Sequence, residues 1–98
     1  MSVLSLDEIV NMIRPLLLKY NVESALLFGS YARGEATANS DIDVMIIGGA
    51  AFLPRNVFAL AEDLRELSGR NVDMFEIREV ERETKLYETV CREGIRIA

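Results

Sequence analysis

The sequence predicts an α/β (α+β) fold in which helices pack on a small mixed β-sheet. Three observations support this: helical and strand-like apolar patterns alternate along 98 residues, half of the residues are apolar, and glycines follow several of the segments. The element order is helix, strand, short helix, strand, helix, strand, helix, which is typical of helices that cover a sheet. Because a chain of this length forms one hydrophobic core, we expect residues 1–98 to be a single domain.

Two segments have the spacing of amphipathic helices. The first runs from Leu6 to about Lys19 and begins with a capping box that pairs Ser5 with Glu8. Pro15 lies inside this segment and is expected to kink the helix or split it. The second runs from about 56 to 67 and is followed by a glycine, the usual residue of a C-terminal cap.

Short apolar segments between these helices are predicted strands. Ser24–Phe28, Asp41–Ile47 and Asn71–Ile77 are the three longer ones, and Ile95–Ile97 is short enough for an edge strand. A last helix is expected from Glu79 to about Arg92, with apolar side chains among mixed charges. This helix either packs on the sheet or forms a docking surface, and we favour packing.

Composition and charge exclude several classes of function. The chain has 11 basic and 16 acidic residues, a net charge of -5, and no basic stretch, so no direct nucleic-acid binding is expected. Its longest nearly apolar run is ten residues, and no secretion signal is recognised, so we expect a cytoplasmic protein with no membrane partner. The absence of histidine excludes zinc chemistry and His-based catalysis. Cys91, the one cysteine, is expected to be a small buried hydrophobe.

Two aspartates are the first candidates for chemistry. Asp41 and Asp43 alternate on a predicted strand, so their side chains leave the same face, with Cα atoms roughly 6.6–6.8 Å apart. Such a pair can share two divalent cations, as in phosphoryl and nucleotidyl transfer, and oxygen ligands suit Mg²⁺. A solvated strand face is the alternative. It is disfavoured because apolar residues continue that face and paired carboxylates repel each other without a cation.

Gly29 and Ser30 end a predicted strand and open a helical turn. Backbone N–H groups at such a turn, with a hydroxyl beside them, can bind phosphate oxygens, and glycine lets the backbone approach closely. A glycine turn followed by a serine N-cap would explain the same pair. It is the spacing to the two aspartates that favours a phosphate site.

The Gly-Ser turn, a gap of ten residues and the Asp-x-Asp pair together resemble the signature of the nucleotidyltransferase superfamily that includes DNA polymerase beta. The fuller string GSYARGEATANSDIDV is similar to the minimal nucleotidyltransferases, the MntA-type antitoxins that partner HEPN-domain toxins. With the flanking strands, the resemblance extends over about Ser24–Ile77. It implies the nucleotidyltransferase fold.

The resemblance also implies roles for individual residues. Gly29 and Ser30 would hold the β- and γ-phosphates of ATP, and Asp41 and Asp43 would bind two Mg²⁺ ions. A third carboxylate on a neighbouring strand is implied as well. Asp73 fits because it interrupts an apolar strand, and its implied roles are metal ligand and general base that deprotonates the acceptor hydroxyl.

Other polar residues each allow two interpretations. Arg33 either reaches the triphosphate or pairs with Glu35 or an aspartate. Ser40 either contacts the nucleotide or shapes the turn that precedes the strand. Asp73 itself is either the third carboxylate or a polar residue on a solvated face. It is favoured over Glu76, which lies on the opposite face of the same strand.

By this resemblance, the chain is expected to transfer AMP from ATP to a tyrosine of a HEPN-type toxin, as the antitoxin of the pair. One alternative is a non-enzymatic antitoxin or adaptor that acts by binding. Another is a nucleotidyltransferase for a small molecule such as an aminoglycoside. Because no acceptor-binding segment follows residue 98, we expect the acceptor site to be completed by a partner chain or a homodimer interface.

Overall fold

The computed structural model of the protein describes residues 3–81 and 83–98. Its helices and strands follow the predicted order and confirm the α/β class. They are the helices α1 (Leu6–Lys19), α2 (Gly29–Arg33), α3 (Asn56–Ser68) and α4 (Lys85–Glu93), the strands β1 (Ser24–Phe28), β2 (Ile42–Ile47), β3 (Val72–Glu76) and β4 (Ile95–Arg96), and a 3₁₀ turn at Ile77–Glu79.

A four-stranded mixed sheet in the order β3-β2-β1-β4 lies at the centre of the fold. β1 pairs antiparallel with both β2 and β4, whereas β2 and β3 run parallel. A parallel pair needs a crossover connection, and α3 provides it. β4 lies at one edge of the sheet, which confirms the predicted edge strand near the end of the chain. The crossover also brings the first residues of β2 and β3 side by side.

The two faces of the sheet are covered unequally. The main core lies on one face, where α1 and α3 pack on the strands through buried side chains such as Ile13, Ile46 and Leu60. The other face has a smaller cluster that includes Met45 and Val90. Alternate residues of β2 therefore serve the two faces, as the pleat of a strand requires. The burial of Val90 confirms that the last helix packs on the sheet.

α1 is one continuous helix in spite of Pro15. Its capping box is present: the Ser5 N–H donates to Glu8 Oε1 at 3.0 Å, and the Glu8 N–H donates to Ser5 Oγ at 3.1 Å. Of the two expected effects of Pro15, a kink or a split, the split is wrong, because the buried face of the helix continues across the proline. Ile13 and Leu16, on either side of Pro15, are both buried, and this packing offsets the backbone hydrogen bond that proline cannot make.

The last helix begins later than the predicted residue, Glu79, which lies in the 3₁₀ turn. α4 begins at Lys85, directly after Thr84. The side-chain oxygen of Thr84 accepts from the Tyr87 N–H at 3.3 Å, so Thr84 is the N-cap that sets the start of the helix. Arg82, which the predicted helix includes, lies outside the described residues.

The expectation that Cys91 is a small buried hydrophobe is wrong. Cys91 is exposed on α4 and not buried, because the neighbouring Val90 takes the position that faces the sheet. In the described part of the chain, no helix has the length and apolar character that a membrane crossing requires.

The placement of the core predicts a contrast between two leucines of α3. Leu60 is fully buried, whereas Leu67 is 59% exposed. Leu60→Ala is expected to lower the free energy of unfolding by about 2–5 kcal/mol, because it leaves a cavity. Leu67→Ala should change it by no more than about 0.5 kcal/mol. Urea denaturation followed by circular dichroism measures both, and equal losses would contradict this placement.

Candidate active site

Two acidic side chains lie side by side on the parallel strands. Asp43 of β2 and Asp73 of β3 are register partners, so both leave the same face of the sheet. Asp41 precedes β2, and the prediction that it belongs to the strand is wrong by one residue. Pairing with β3 begins at Ile42, whose N–H donates to the Asn71 carbonyl at 2.9 Å. Asp41 is exposed at the entrance to the strand.

The turn after β1 approaches the same carboxylate from the other side. Phe28, the last residue of β1, is the partner of Asp43 in the antiparallel pair. Gly29 has φ +74°, and a Cβ built on it would overlap the Asp43 Oδ2 atom. Glycine is therefore favoured there by the backbone conformation, and a larger residue would force the Asp43 carboxylate to move. Ser30 follows in α2, so the Gly-Ser turn, Asp43 and Asp73 form a row across three adjacent strands.

The crowding of carboxylates changes the acidity of Asp43. Burial, followed by the negative charges of Asp73 and Asp41 and hydrogen bonding to Asp73, raises the pKa of Asp43 from 3.8 to about 6. The positive charge of Arg33 opposes this shift. A cation between Asp43 and Asp73 would remove the repulsion, which is the electrostatic reason why this pair of carboxylates suits a metal.

The two polar residues with open roles make contacts within the protein. Arg33 Nε lies 3.2 Å from Glu35 Oε1, and Arg33 Nη1 lies 3.0 Å from Glu93 Oε1. The predicted pairing of Arg33 with Glu35 is therefore present. Ser40 Oγ accepts from the Thr37 N–H at 2.8 Å, so Ser40 shapes the turn before β2. A nucleotide contact by either residue stays a prediction.

Glu76, the competing carboxylate of β3, has a structural role. It is 1% exposed, and its Oε1 accepts from Arg78 Nε at 2.8 Å and from the Gly48 N–H at 3.3 Å. Its register partner is Ile46, which belongs to the main core. The buried carboxylate of Glu76 therefore has hydrogen-bond partners, and its bond to Gly48 links the end of β3 to the end of β2. Asp73 thus remains the carboxylate of β3 that faces the other candidates.

The carboxylates of Asp43 and Asp73 fit Mg²⁺ but supply only part of its coordination. Within residues 3–81 and 83–98, no three His, Cys, Asp or Glu side chains are already gathered into a cluster that could hold a metal ion. Mg²⁺ is usually bound by one or two carboxylates, with substrate phosphates and waters as the other ligands. Asp43 and its neighbour Asp73 match that requirement for oxygen ligands. A bound triphosphate would have to complete the coordination.

A cavity of about 430 Å³ opens on the β3 side of this row. Asp41 and Asp73 line it, together with Phe58 and Arg65 of α3. Neither of these α3 residues was predicted as a site residue. The sequence did contain a signal for Phe58, because an aromatic residue there falls outside the apolar face of the predicted helix. Nothing in the sequence pattern distinguishes Arg65 from an ordinary exposed residue.

Comparison with known proteins identifies the family of this chain. Residues 11–98 match the family described as Polymerase beta, Nucleotidyltransferase. The chain belongs to this family and is a nucleotidyltransferase by class. The resemblance inferred from the Gly-Ser turn and the paired aspartates, and the fold that it implied, are thereby confirmed.

Several known proteins are similar to this chain over most of its length. One from Methanocaldococcus jannaschii, named as a candidate protein adenylyltransferase, is 38% identical over 71 residues, which are 72% of this chain and 76% of that protein. A structure described as a candidate minimal nucleotidyltransferase has a TM-score of 0.77 at 28% identity and covers 97% of this chain and 98% of its own. A toxin–antitoxin crystal structure with AMP-PNP has a TM-score of 0.78 at 26% identity, over 91% of this chain and 72% of that chain.

The contact between Gly29 and Asp43 can be tested against a matched glycine. Gly29 and Gly34 have φ +74° and +73°, but a Cβ at Gly34 would meet nothing within 4 Å. Alanine at either position should cost about 1–2 kcal/mol of stability through backbone strain. Gly29→Ala should lose about 1–3 kcal/mol more, because it also displaces Asp43. Equal losses in urea denaturation would show that the overlap is harmless.

The raised pKa of Asp43 predicts a pH dependence of stability. Because the pKa in the folded state, about 6, lies above the ordinary value of 3.8, the folded protein holds this proton more tightly than the unfolded chain. The stability from Asp43 is therefore present below about pH 4 and is lost as the pH rises through about 6. Asp43→Asn should be more stable than wild type at pH 7 and similar to it at about pH 3.5.

Thermal unfolding in EDTA-containing buffer at both pH values measures this difference. An Asp43→Asn variant less stable than wild type at pH 7 would contradict the prediction.

Proposed function

We propose that this chain transfers AMP from ATP to a hydroxyl group, and that the acceptor is a tyrosine of a HEPN-type toxin for which the chain is the antitoxin. The observation that carries the proposal is the row of Gly29, Asp43 and Asp73 across adjacent strands. Membership of the nucleotidyltransferase family supports the transfer chemistry. The toxin–antitoxin neighbour with AMP-PNP supports ATP and a toxin partner.

In the proposed complex, the residues divide into two groups. The N–H groups of the Gly29 turn and the Ser30 hydroxyl bind the β- and γ-phosphates, and Arg33 and Ser40 are further nucleotide-binding candidates. The carboxylates of Asp41, Asp43 and Asp73 would hold two Mg²⁺ ions. Bound Mg²⁺ would lower the pKa of the acceptor hydroxyl and offset the charge of the leaving group.

The reaction is an in-line displacement at the α-phosphorus. The acceptor oxygen forms a bond to this phosphorus, the bond from the α-phosphorus to the oxygen bridging to the β-phosphate breaks, and pyrophosphate leaves. Asp73 takes the proton of the acceptor hydroxyl. A carboxylate is the expected base because the chain has no histidine. Asp73 is exposed, so an acceptor on another molecule can reach it.

Residues 1–98 then act as one catalytic domain, and a second chain supplies the acceptor. A HEPN-type toxin is the proposed second chain. A homodimer that completes a pocket for a small molecule is the competing arrangement. The two differ in what becomes labelled, since only the first attaches AMP to a protein side chain.

The first test is transfer of α-labelled ATP, with Mg²⁺, to proteins in a lysate of cells that encode this chain. Wild type is expected to label a protein. The Asp41→Asn, Asp43→Asn double variant should lose at least about 10³-fold in rate, since it removes the carboxylates that hold the metal ions. Asp7→Asn, distant in sequence and exposed, should match wild type.

Mass spectrometry of the labelled protein identifies the acceptor. AMP on a tyrosine of a HEPN-type protein is the expected result, and AMP on a small molecule would overturn the choice of acceptor. A double variant that labels as well as wild type would overturn the assignment of the carboxylates. If the double variant still protects cells from the toxin, neutralisation occurs by binding and not by transfer.

A further inference from the structure

We propose that the cavity beside Asp73 is the acceptor subsite, and that Phe58 is the platform on which the ring of an acceptor tyrosine stacks, within a segment rich in basic residues. This inference rests on the proposed function and specifies which acceptors the site takes. The observation that supports it is that the cavity lies at the β3 end of the row of Gly29, Asp43 and Asp73 and is lined by Asp73.

The direction of the displacement points to this side of the row. In an in-line reaction, the attacking and leaving oxygens lie on opposite sides of the α-phosphorus. Pyrophosphate leaves toward the Gly29 turn, which is on the β1 side of Asp43. The attacking hydroxyl must therefore enter from the β3 side. Asp73 is the carboxylate on that side, and it also lines the cavity.

Phe58 contributes an aromatic ring to the cavity wall, and this ring is not packed in the hydrophobic core. Its side chain is 83% exposed, whereas Val57, Leu60 and Leu64 form the buried face of α3. Ala61, one turn further along, lines the same cavity and adds apolar surface next to the ring. Aromatic rings stack or meet edge to face at centroid separations of about 4.5–7 Å, and such pairs are favourable beyond the area they bury. A tyrosine ring is thus a fitting occupant.

The charge of the wall favours a basic segment around that tyrosine. The cavity lining contains one positively charged group, the guanidinium of Arg65, and three carboxylates, those of Asp41, Glu62 and Asp73. Arg65 Nη2 lies 2.6 Å from Glu62 Oε1, so its charge is already matched. The net charge of the chain is -5, which also favours approach by lysine and arginine side chains.

The test uses the whole chain with ATP, Mg²⁺ and two acceptor probes, a lysine–tyrosine copolymer and a glutamate–tyrosine copolymer. Wild type should label the lysine–tyrosine copolymer at least about tenfold faster than the other. Phe58→Ala should raise KM for that copolymer about tenfold and leave KM for ATP within about twofold. Phe58→Tyr should retain the wild-type values. Leu67→Ala, on the same helix but outside the cavity lining, is the matched control.

Each outcome separates this inference from the proposed function. Unchanged KM for the copolymer in Phe58→Ala, with an active wild type, would overturn the inference alone. A rise in KM for ATP would overturn it too, because the cavity would then hold the nucleoside. Labelling of lysate proteins but of neither copolymer, or a preference for the glutamate–tyrosine copolymer, would overturn the acceptor class. A wild type that labels no protein at all would overturn the proposed function, and the inference with it.

Discussion

Repulsion between neighbouring carboxylates is the constraint on which the rest of the site depends. Asp43 and Asp73 are held side by side because β2 and β3 pair in parallel register. That pairing is stabilised elsewhere: Ile42, Val44 and Ile46 alternate with Asp43 and are fully buried in the main core. The sheet can therefore keep together acidic groups that would separate on a flexible loop, and the raised pKa of Asp43 is the consequence.

The same row of residues has two unlike ends. At the β1 end, the Gly29 turn passes close to Asp43, and its backbone N–H groups are the proposed phosphate ligands. At the β3 end, Asp73 opens onto a cavity with an aromatic wall. Arg33, which ion-pairs with Glu93 at 3.0 Å, ties the helix of the turn to α4. Because the two ends of the row differ, the proposed transfer has a direction, with the leaving group at the Gly29 end and the acceptor at the Asp73 end.

Much of the local structure was predictable, and the corrections to α1 and α4 have different causes. The bounds of α1 and β1 agree with the sequence pattern because caps and apolar periodicity are local signals. Pro15 was expected to kink or split α1, yet α1 is not split, because packing on both sides of Pro15 holds the helix together. α4 begins after the cap at Thr84 and not at Glu79, the predicted start. The continuity of α1 depends on tertiary packing, which helix propensity does not contain, whereas the start of α4 follows a local cap that the predicted start at Glu79 did not use.

The sequence by itself determined the residue types of the site, a Gly-Ser turn and an Asp-x-Asp pair at a spacing that indicates nucleotidyl transfer. Only the tertiary structure decided which strands are neighbours and that Asp73 lies beside Asp43. It also decided that Phe58 borders the same cavity. The physical reason is that alternation along a strand says which face a side chain takes, whereas strand pairing depends on the crossover of α3 and the packing of the core beneath it.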